Sequence, residues 1–157
     1  MVVTAGSSAG FVLAFLALLE HGDAFGLPSP GYPCYRQILK ALGLRPHLIE
    51  TSGQGRWMPT AVDVERLAAD GAAGLLLASP NNPTGTMTRG PRLAELAKAC
   101  ERHKLWLISD EIYHGLEYDG PAETALQHSD TAIVVNSFSK YFSMTGWRIG
   151  WLVVPEA

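Results

Sequence analysis

Basic charge is scarce in this sequence, and it is absent from the first part of the chain. The 157 residues include only 12 lysines and arginines against 15 aspartates and glutamates, which gives a formal net charge of −3. No lysine or arginine precedes Arg36, and no basic cluster follows it. Nucleic-acid-binding surfaces depend on clustered positive charge. We therefore expect no nucleic-acid partner.

Cysteine is also scarce, and histidine lacks any metal-binding spacing. The chain has two cysteines, Cys34 and Cys100, which lie far apart and form no disulfide framework. This usage is typical of a reducing, cytoplasmic setting. Structural metal sites need closely spaced cysteines and histidines, and none of the histidines shows such spacing, so we expect no metal. The histidines are His21, His47, His103, His114 and His128.

Hydrophobic runs of membrane-spanning length are missing. The segment from Phe11 to Leu19 reads FVLAFLALL, but a transmembrane helix needs about 20 apolar residues. A signal peptide would carry positive charge before such a run, and none is present here. The segment therefore predicts a buried helix, and we expect no membrane association.

The remaining composition predicts a globular α/β domain. Hydrophobic residues make up 47% of the chain and charged residues 17%, and the length fits one domain over residues 1–157. Continuous apolar strands such as GLLLA at 74–78 are typical of a sheet covered on both faces. Alternating helices and strands then predict a three-layer α/β/α fold with a mainly parallel sheet. We expect helices over 7–20, 33–42, 60–70 and 88–103, and strands over 24–27, 46–50, 74–78, 105–109, 131–136 and 148–154.

Polar residues follow these strands. Ligands of open α/β sheets bind at the carboxyl ends of the strands, so these side chains are expected to converge on one edge. Lys140 comes directly after a buried strand, where desolvation would free its amine as a nucleophile. The set is Asn82, Asp110, Tyr113, Ser137, Ser139 and Lys140.

Three motifs in this order are specific: SPNNPTG at 79–85, SDEIYH at 109–114, and SFSK at 137–140 with Arg148 following. Together they resemble the fold-type I pyridoxal-phosphate (PLP) enzymes, class I/II aminotransferase family, over about residues 4–154. The resemblance implies the PLP-binding large-domain core of an aminotransferase. Such an enzyme transfers an amino group from an amino acid to a 2-oxo acid, and the family usually forms homodimers.

The resemblance also implies roles for residues around the cofactor ring. Lys140 matches the lysine that forms the Schiff base with PLP and later moves the substrate's α-proton. Asp110 matches the aspartate that keeps the pyridine nitrogen protonated. Tyr113 and Asn82 match the two donors to the phenolic oxygen. Tyr32 matches the aromatic residue that stacks on the ring, while its neighbour Tyr35 is expected only to pack or to face solvent.

The cofactor phosphate is expected at the start of the first helix, where backbone N–H groups and the helix dipole favour an anion. Hydroxyl donors beside the lysine and a bidentate arginine would complete this site. The residues that the resemblance implies here are Gly6, Ser7, Ser8, Ser137, Ser139 and Arg148.

Alternatives remain at this stage. Family members are considerably longer, so the chain is expected to correspond to the central part of the large domain. The N-terminal arm would then be absent, as would the C-terminal small domain with its carboxylate-binding arginine. A non-catalytic or regulatory PLP-binding domain and a PLP-dependent lyase share the same motifs. The residues Ser137 to Lys140 also spell the serine–lysine hydrolase pattern S-x-x-K, which requires a helix.

Overall fold

The computed structural model describes residues 1–156, in which strands and helices alternate. Within these residues no helix is both long enough and apolar enough to cross a membrane. The strands are β1 (Val2–Thr4), β2 (Ala24–Ser29), β3 (Arg45–Glu50), β4 (Ala72–Ala78), β5 (Trp106–Asp110), β6 (Ile133–Ser137) and β7 (Gly150–Val153). The α-helices are α1 (Ser7–Leu18), α2 (Pro33–Ala41), α3 (Ala61–Ala69) and α4 (Pro91–Arg102).

The strands form one sheet in the order β1-β7-β6-β5-β4-β2-β3. The pairs from β3 to β6 are parallel, whereas β7 runs antiparallel to both β6 and β1. The expected mainly parallel sheet is therefore confirmed. The register places Ala78 beside Asp110 and Ser137 beside Gly150, so the carboxyl ends of β4, β5 and β6 meet at one edge.

Helices cover both faces of the sheet. Along β4, Leu76 packs with α1 and α2 on one face, while Leu75 and Leu77 pack with α3 and α4 on the other. This alternation follows from the two-residue period of a strand. Burying each of these leucines stabilises the fold by roughly 1.5–3 kcal/mol. The three-layer α/β/α arrangement results.

Local signals explain where several helices begin. Pro33 and Pro91 occupy the first turns of α2 and α4, where the missing N–H is not needed. At the start of α3, the Asp63 carboxylate accepts hydrogen bonds from the Thr60 backbone N–H and hydroxyl, both at 2.8 Å. The predicted helix over 60–70 is thus present, with Thr60 as its cap. The segment before Pro91 is different, because the Thr88 N–H donates to Ser79 Oγ at 3.0 Å and ties the chain into a loop. Helix α4 therefore begins later than predicted.

Two further elements differ from the prediction. The predicted strand over 148–154 is shortened at its start, because Arg148 has a left-handed backbone with φ 54°. Helix α1 buries only one face, through Phe11 and Phe15, and leaves Leu13 and Leu16 exposed. The expectation of a buried helix thus holds for one side of α1 only.

Candidate functional site

A cleft of about 160 Å³ opens at the carboxyl edge of the sheet, between the start of α1, the start of α2 and the loops after β4, β5 and β6. The parallel strands bring these loops together, although they are far apart in sequence. Most of the residues singled out from the sequence line this cleft: Ser7, Ser8, Tyr32, Asn82, Asp110, Tyr113, Ser139, Lys140 and Arg148. Gly6 and Ser137 lie beside it and do not line it.

The most buried acid of the cleft is Asp110, the last residue of β5, which is only 4% exposed. The backbone N–H of Ile112 donates to its Oδ1 at 3.1 Å, and the Tyr35 hydroxyl donates to its Oδ2 at 2.5 Å. Burial raises the pKa of Asp110 to about 6, even though both donated bonds lower it. Near neutral pH the carboxylate is therefore charged in a site that disfavours charge, and a cationic ligand group would relieve that cost.

Tyr35 is part of the cleft, contrary to the expectation that it only packs or faces solvent. Its side chain is buried, and burial together with the neighbouring Asp110 carboxylate raises its pKa well above the ordinary value. Its ring packs edge-on against Phe11 and Tyr32, with centroid distances of 5.1 and 5.6 Å. Tyr32 is 46% exposed and forms the aromatic wall. The sequence signal for Tyr35 is its spacing from Tyr32, which lies three residues earlier, directly before α2.

The opposite end of the cleft is suited to an anion. Helix α1 is preceded by Gly6, with φ 80°, and has neither a side-chain cap nor an acidic residue in its first turn. Its free N–H groups therefore remain available. The Arg148 guanidinium lies directly beside Gly6, so closely that a Cβ atom there would overlap it. Arg148 is oriented by donating from Nη1 to the Thr145 carbonyl at 2.8 Å.

Gly150 allows α1 to approach the sheet at this point. A Cβ atom on Gly150 would lie 2.8 Å from both the Gly6 carbonyl carbon and the Ser7 nitrogen, and 2.9 Å from the Asn136 oxygen. These are backbone atoms, which cannot rotate away. The position of the anion-binding N–H groups therefore depends on a glycine in β7.

Lys140 enters the cleft from the turn after β6. Its side chain is exposed, and its Nζ lies 5.8 Å from the centroid of the Tyr113 ring. The expectation of a desolvated lysine is therefore wrong for the cleft as it stands. The turn is not helical, so it lacks the arrangement that a serine–lysine hydrolase requires.

The two serines of the same turn have different positions. Ser139 lines the cleft, and its carbonyl accepts a hydrogen bond from the Thr145 hydroxyl at 2.7 Å. Ser137 is fully buried, and its hydroxyl oxygen accepts a hydrogen bond from the Ser139 N–H at 3.0 Å. The role of Ser137 as a phosphate ligand stays a prediction; in this structure its side chain orients the turn and does not line the cleft.

The Asn82 side chain reaches towards Tyr113 across the cleft. Its Nδ2 donates to the Tyr113 hydroxyl at 3.4 Å, a long hydrogen bond that leaves both groups able to bind a shared acceptor. The peptide bond between Asn82 and Pro83 is cis. Cys34 and Thr145 are among the lining residues that sequence reasoning did not single out. Neither belongs to a motif, and only the assembled fold brings them to the cleft.

An anion site at a helix N-terminus, an aromatic wall and a buried carboxylate at one sheet edge are typical of α/β enzymes that bind a phosphorylated cofactor. The family described as "Aminotransferase class I and II" matches residues 1–157. The chain belongs to this family, whose aminotransferases use PLP with amino-acid and 2-oxo-acid substrates.

Relatives with known names support the assignment. The chain is 51% identical over 157 residues to the valine–pyruvate aminotransferase of Mycobacterium tuberculosis, and 35% identical over 159 residues to the aspartate aminotransferase of Thermotoga maritima. Each alignment covers 99% of this chain. The chain spans only 40% and 42% of the lengths of these relatives.

Solved structures agree. A crystal structure of an aminotransferase from Mycobacterium tuberculosis matches with a TM-score of 0.92 at 51% identity, covering 98% of this chain and 40% of that one. The aspartate aminotransferase of Thermus thermophilus with maleate also has a TM-score of 0.92, at 32% identity and with the same coverage.

Proposed function

We propose that residues 1–157 form the cofactor-binding core domain of a PLP-dependent aminotransferase. The whole enzyme would transfer an amino group from an amino acid to a 2-oxo acid. The observation that supports this proposal is the cleft itself. A lysine amine, a buried carboxylate and an anion site lie within one cavity, which is lined by Lys140, Asp110 and Arg148.

The donor set fits PLP group by group. The exposed face of Tyr32 offers a stacking surface for a ring, and stacking excludes water from one side. The Asp110 carboxylate offers a negative partner for a protonated ring nitrogen. The phosphate would be held by the N–H groups at the start of α1, with Arg148 as a bidentate donor and Ser139 nearby. Gly6 would leave room for this contact because it carries no side chain.

The residues around the ring nitrogen and the phenolic oxygen would set the electronic properties of the ring. When bound, PLP supplies an aldehyde that condenses with amines and a ring that accepts the electron pair released from the substrate's α-carbon. Asp110 would hold a proton on the ring nitrogen and so favour that acceptance. Asn82 and Tyr113 would donate hydrogen bonds to the phenolic oxygen and stabilise its negative charge. Lys140 would hold the cofactor covalently, and its Nζ, once released, would take and return the substrate's α-proton.

Three wider properties belong to the same proposal. A homodimer is supported by exposed apolar side chains next to the lysine turn, those of Tyr141, Phe142 and Trp147. A cytoplasmic location is supported by two free cysteines, Cys34 and Cys100. Amino-acid and 2-oxo-acid substrates are supported by the names of the relatives.

The test is an absorbance titration with PLP, followed by borohydride reduction and intact-mass measurement. We expect one reduced adduct per chain in the wild-type protein and in Lys98→Ala, which removes an exposed lysine of α4. We expect no adduct in Lys140→Ala. An adduct at wild-type level in Lys140→Ala would overturn the assignment of the lysine.

Addition of an amino-acid donor then separates the alternatives. L-Valine and L-aspartate are suitable probes because they are named for two relatives. Conversion of the spectrum to the pyridoxamine form would show that this chain performs half of a transamination. Release of the amino group as ammonia would indicate a lyase. A stable spectrum would leave a cofactor-binding core without a substrate site.

A further inference from the structure

A buried acid outside the cleft is not used by the proposed chemistry. Glu111 follows Asp110 directly, just after β5 ends, and its side chain lies on the side of the sheet where the Ser109 hydroxyl is. Its side chain is only 4% exposed. Its Oε1 accepts three hydrogen bonds, from Ser109 Oγ at 3.1 Å, Thr124 Oγ1 at 3.0 Å and the Ala125 N–H at 2.8 Å. A carboxylate with three donors on one oxygen is firmly held.

The second oxygen of Glu111 faces a histidine. His114 Nδ1 lies 3.5 Å from Glu111 Oε2, and His114 Nε2 lies 3.0 Å from the Ser79 carbonyl oxygen. A carbonyl oxygen only accepts hydrogen bonds, so Nε2 is the donor. In its doubly protonated form the imidazole donates from both nitrogens, and it then joins the fixed carboxylate to the backbone of a different loop.

Ser79 begins the Asn82 loop, which we define as residues 79–88. His114 belongs to the Tyr113 turn, defined as residues 111–115. The Ser79 N–H donates to the Asp110 carbonyl at 3.1 Å, while the Ser79 carbonyl accepts from His114. Both backbone groups of Ser79 are thus bound to the chain that leads into the Tyr113 turn. These two segments carry the side chains that meet at 3.4 Å in the cleft.

We propose that Glu111 and His114 are positioning residues that set the separation between the Asn82 loop and the Tyr113 turn. The inference rests on the proposed function, since that separation decides whether two donors can reach one phenolic oxygen together. Glu111 fixes the orientation of the imidazole, and the imidazole fixes the loop. Neither side chain lines the cleft.

The test compares two substitutions that keep different atoms of the ring. In His114→Gln the amide nitrogen reaches the position of Nε2 and can still donate to Ser79. In His114→Asn the amide reaches only the position of Nδ1. A hydrogen bond of ordinary strength corresponds to about a three- to tenfold change in an equilibrium constant. We expect His114→Asn to weaken PLP binding by about this factor and His114→Gln to bind nearly as the wild type does.

The bound cofactor gives a second readout. Loss of a donor to a phenolate raises the proton affinity of the group it stabilised. The absorbance of protein-bound PLP is therefore titrated against pH. The midpoint of that titration should move to higher pH in His114→Asn and should not change in His114→Gln. A matched control is His128→Asn, which breaks another histidine–glutamate pair, with Nε2 3.2 Å from Glu123 Oε2, away from the cleft. It should change neither PLP affinity nor the midpoint.

A third readout does not need the cofactor. Amide hydrogen exchange at Asn81 and Gly85, whose N–H groups bond within the Asn82 loop, should accelerate in His114→Asn and not in His114→Gln. The inference would be overturned if the two variants had equal amide exchange rates at Asn81 and Gly85. It would also be overturned if PLP affinity fell only in proportion to a fall in overall stability. If the wild-type protein binds no PLP, the proposed function fails. The exchange experiment still decides whether His114 holds the Asn82 loop to the Tyr113 turn.

Discussion

The Tyr35 hydroxyl donates a hydrogen bond to the Asp110 carboxylate at 2.5 Å, and the two residues are 75 positions apart in the sequence. This contact joins the first turn of α2 to the carboxyl end of β5. It is buried, and within residues 1–156 the carboxylate accepts one other hydrogen bond, from the backbone N–H of Ile112. The tyrosine therefore supplies the side-chain donor that keeps Asp110 ionisable inside the fold.

Replacing this donor should destabilise the protein. In Tyr35→Phe the ring remains but the buried carboxylate loses a hydrogen bond, so we expect the free energy of unfolding at pH 8 to fall by about 1–3 kcal/mol. The pKa of Asp110 should rise further above its ordinary value. Urea unfolding measures the first effect. Tyr118→Phe, at an exposed position, is the control, and an equal loss there would contradict the explanation.

Substitution of the acid should have an effect that depends on pH. Burial raises the pKa of Asp110 from 3.8 to about 6, so the folded state prefers the protonated form. Stability therefore declines as the pH rises through this window, and above about pH 6 the full cost is present. At pH 8 we expect the free energy of unfolding of apo Asp110→Asn to be higher than that of the wild type, by at most about 3 kcal/mol. Near pH 4 the two free energies should be equal.

Urea unfolding of the apo protein at both pH values checks this prediction. The same variant should bind PLP more weakly, because the ring nitrogen loses its negative partner. A variant less stable than the wild type at pH 8 would show that the carboxylate's hydrogen bonds outweigh its desolvation.

A methyl group on Gly150 should weaken binding of the phosphate more than binding of the ring. In Gly150→Ala the new Cβ would meet the backbone of Gly6 and Ser7 at 2.8 Å, and the start of α1 would have to move. We expect a loss of about 1–3 kcal/mol in stability, as for other overpacked positions. We also expect a larger loss of affinity for PLP than for pyridoxal, which has no phosphate.

The control for that experiment is Gly146→Ala. A Cβ atom there meets nothing within 4 Å, and its backbone does not require glycine. Fluorescence titration with both ligands gives the ratio of affinities. If Gly150→Ala leaves the ratio of the affinities for PLP and pyridoxal unchanged, the phosphate does not bind at the start of α1.

The two cysteines should differ in reactivity. Burial raises the pKa of Cys100 to about 12, which leaves almost no thiolate at neutral pH, and the thiolate is the reactive form. Cys34 is half-buried and lines the cleft. We expect iodoacetamide to modify Cys34 alone, and PLP to slow that reaction. Peptide mass mapping with and without PLP checks this, and equal rates would place the ligand elsewhere.

The sequence predicted the sheet well because its strands are short apolar runs bounded by turns. It predicted the motif residues because they follow those strands. It did not predict that Thr88 would anchor a loop, since that depends on the buried Ser79 hydroxyl nine residues earlier. The bounds of the short edge strand β1 were not predicted, because its three residues are held in a strand by pairing with β7.

The burial and contacts of the site side chains were less predictable from the sequence than the loops on which those residues lie. The positions of Ser137 and Ser139 in the turn follow from the pattern, but which hydroxyl lines the cleft depends on how the turn is closed. Similarly, Lys140 was expected to be desolvated, yet its burial depends on what stands over the cleft. Tyr35 was undervalued because its partner, Asp110, is distant in sequence and only the assembled sheet brings the two together.

The two ends of the anion site come from opposite ends of the described chain, Gly6 before α1 and Arg148 before β7. A ligand that occupies this site would connect them as a reversible crosslink. Its binding free energy would then add to the stability of the β1–β7 pairing by mass action, so that edge should fray less at saturating ligand. Ligand concentration would thereby set the fraction of molecules in which the sheet edge is closed, independently of any chemistry in the cleft.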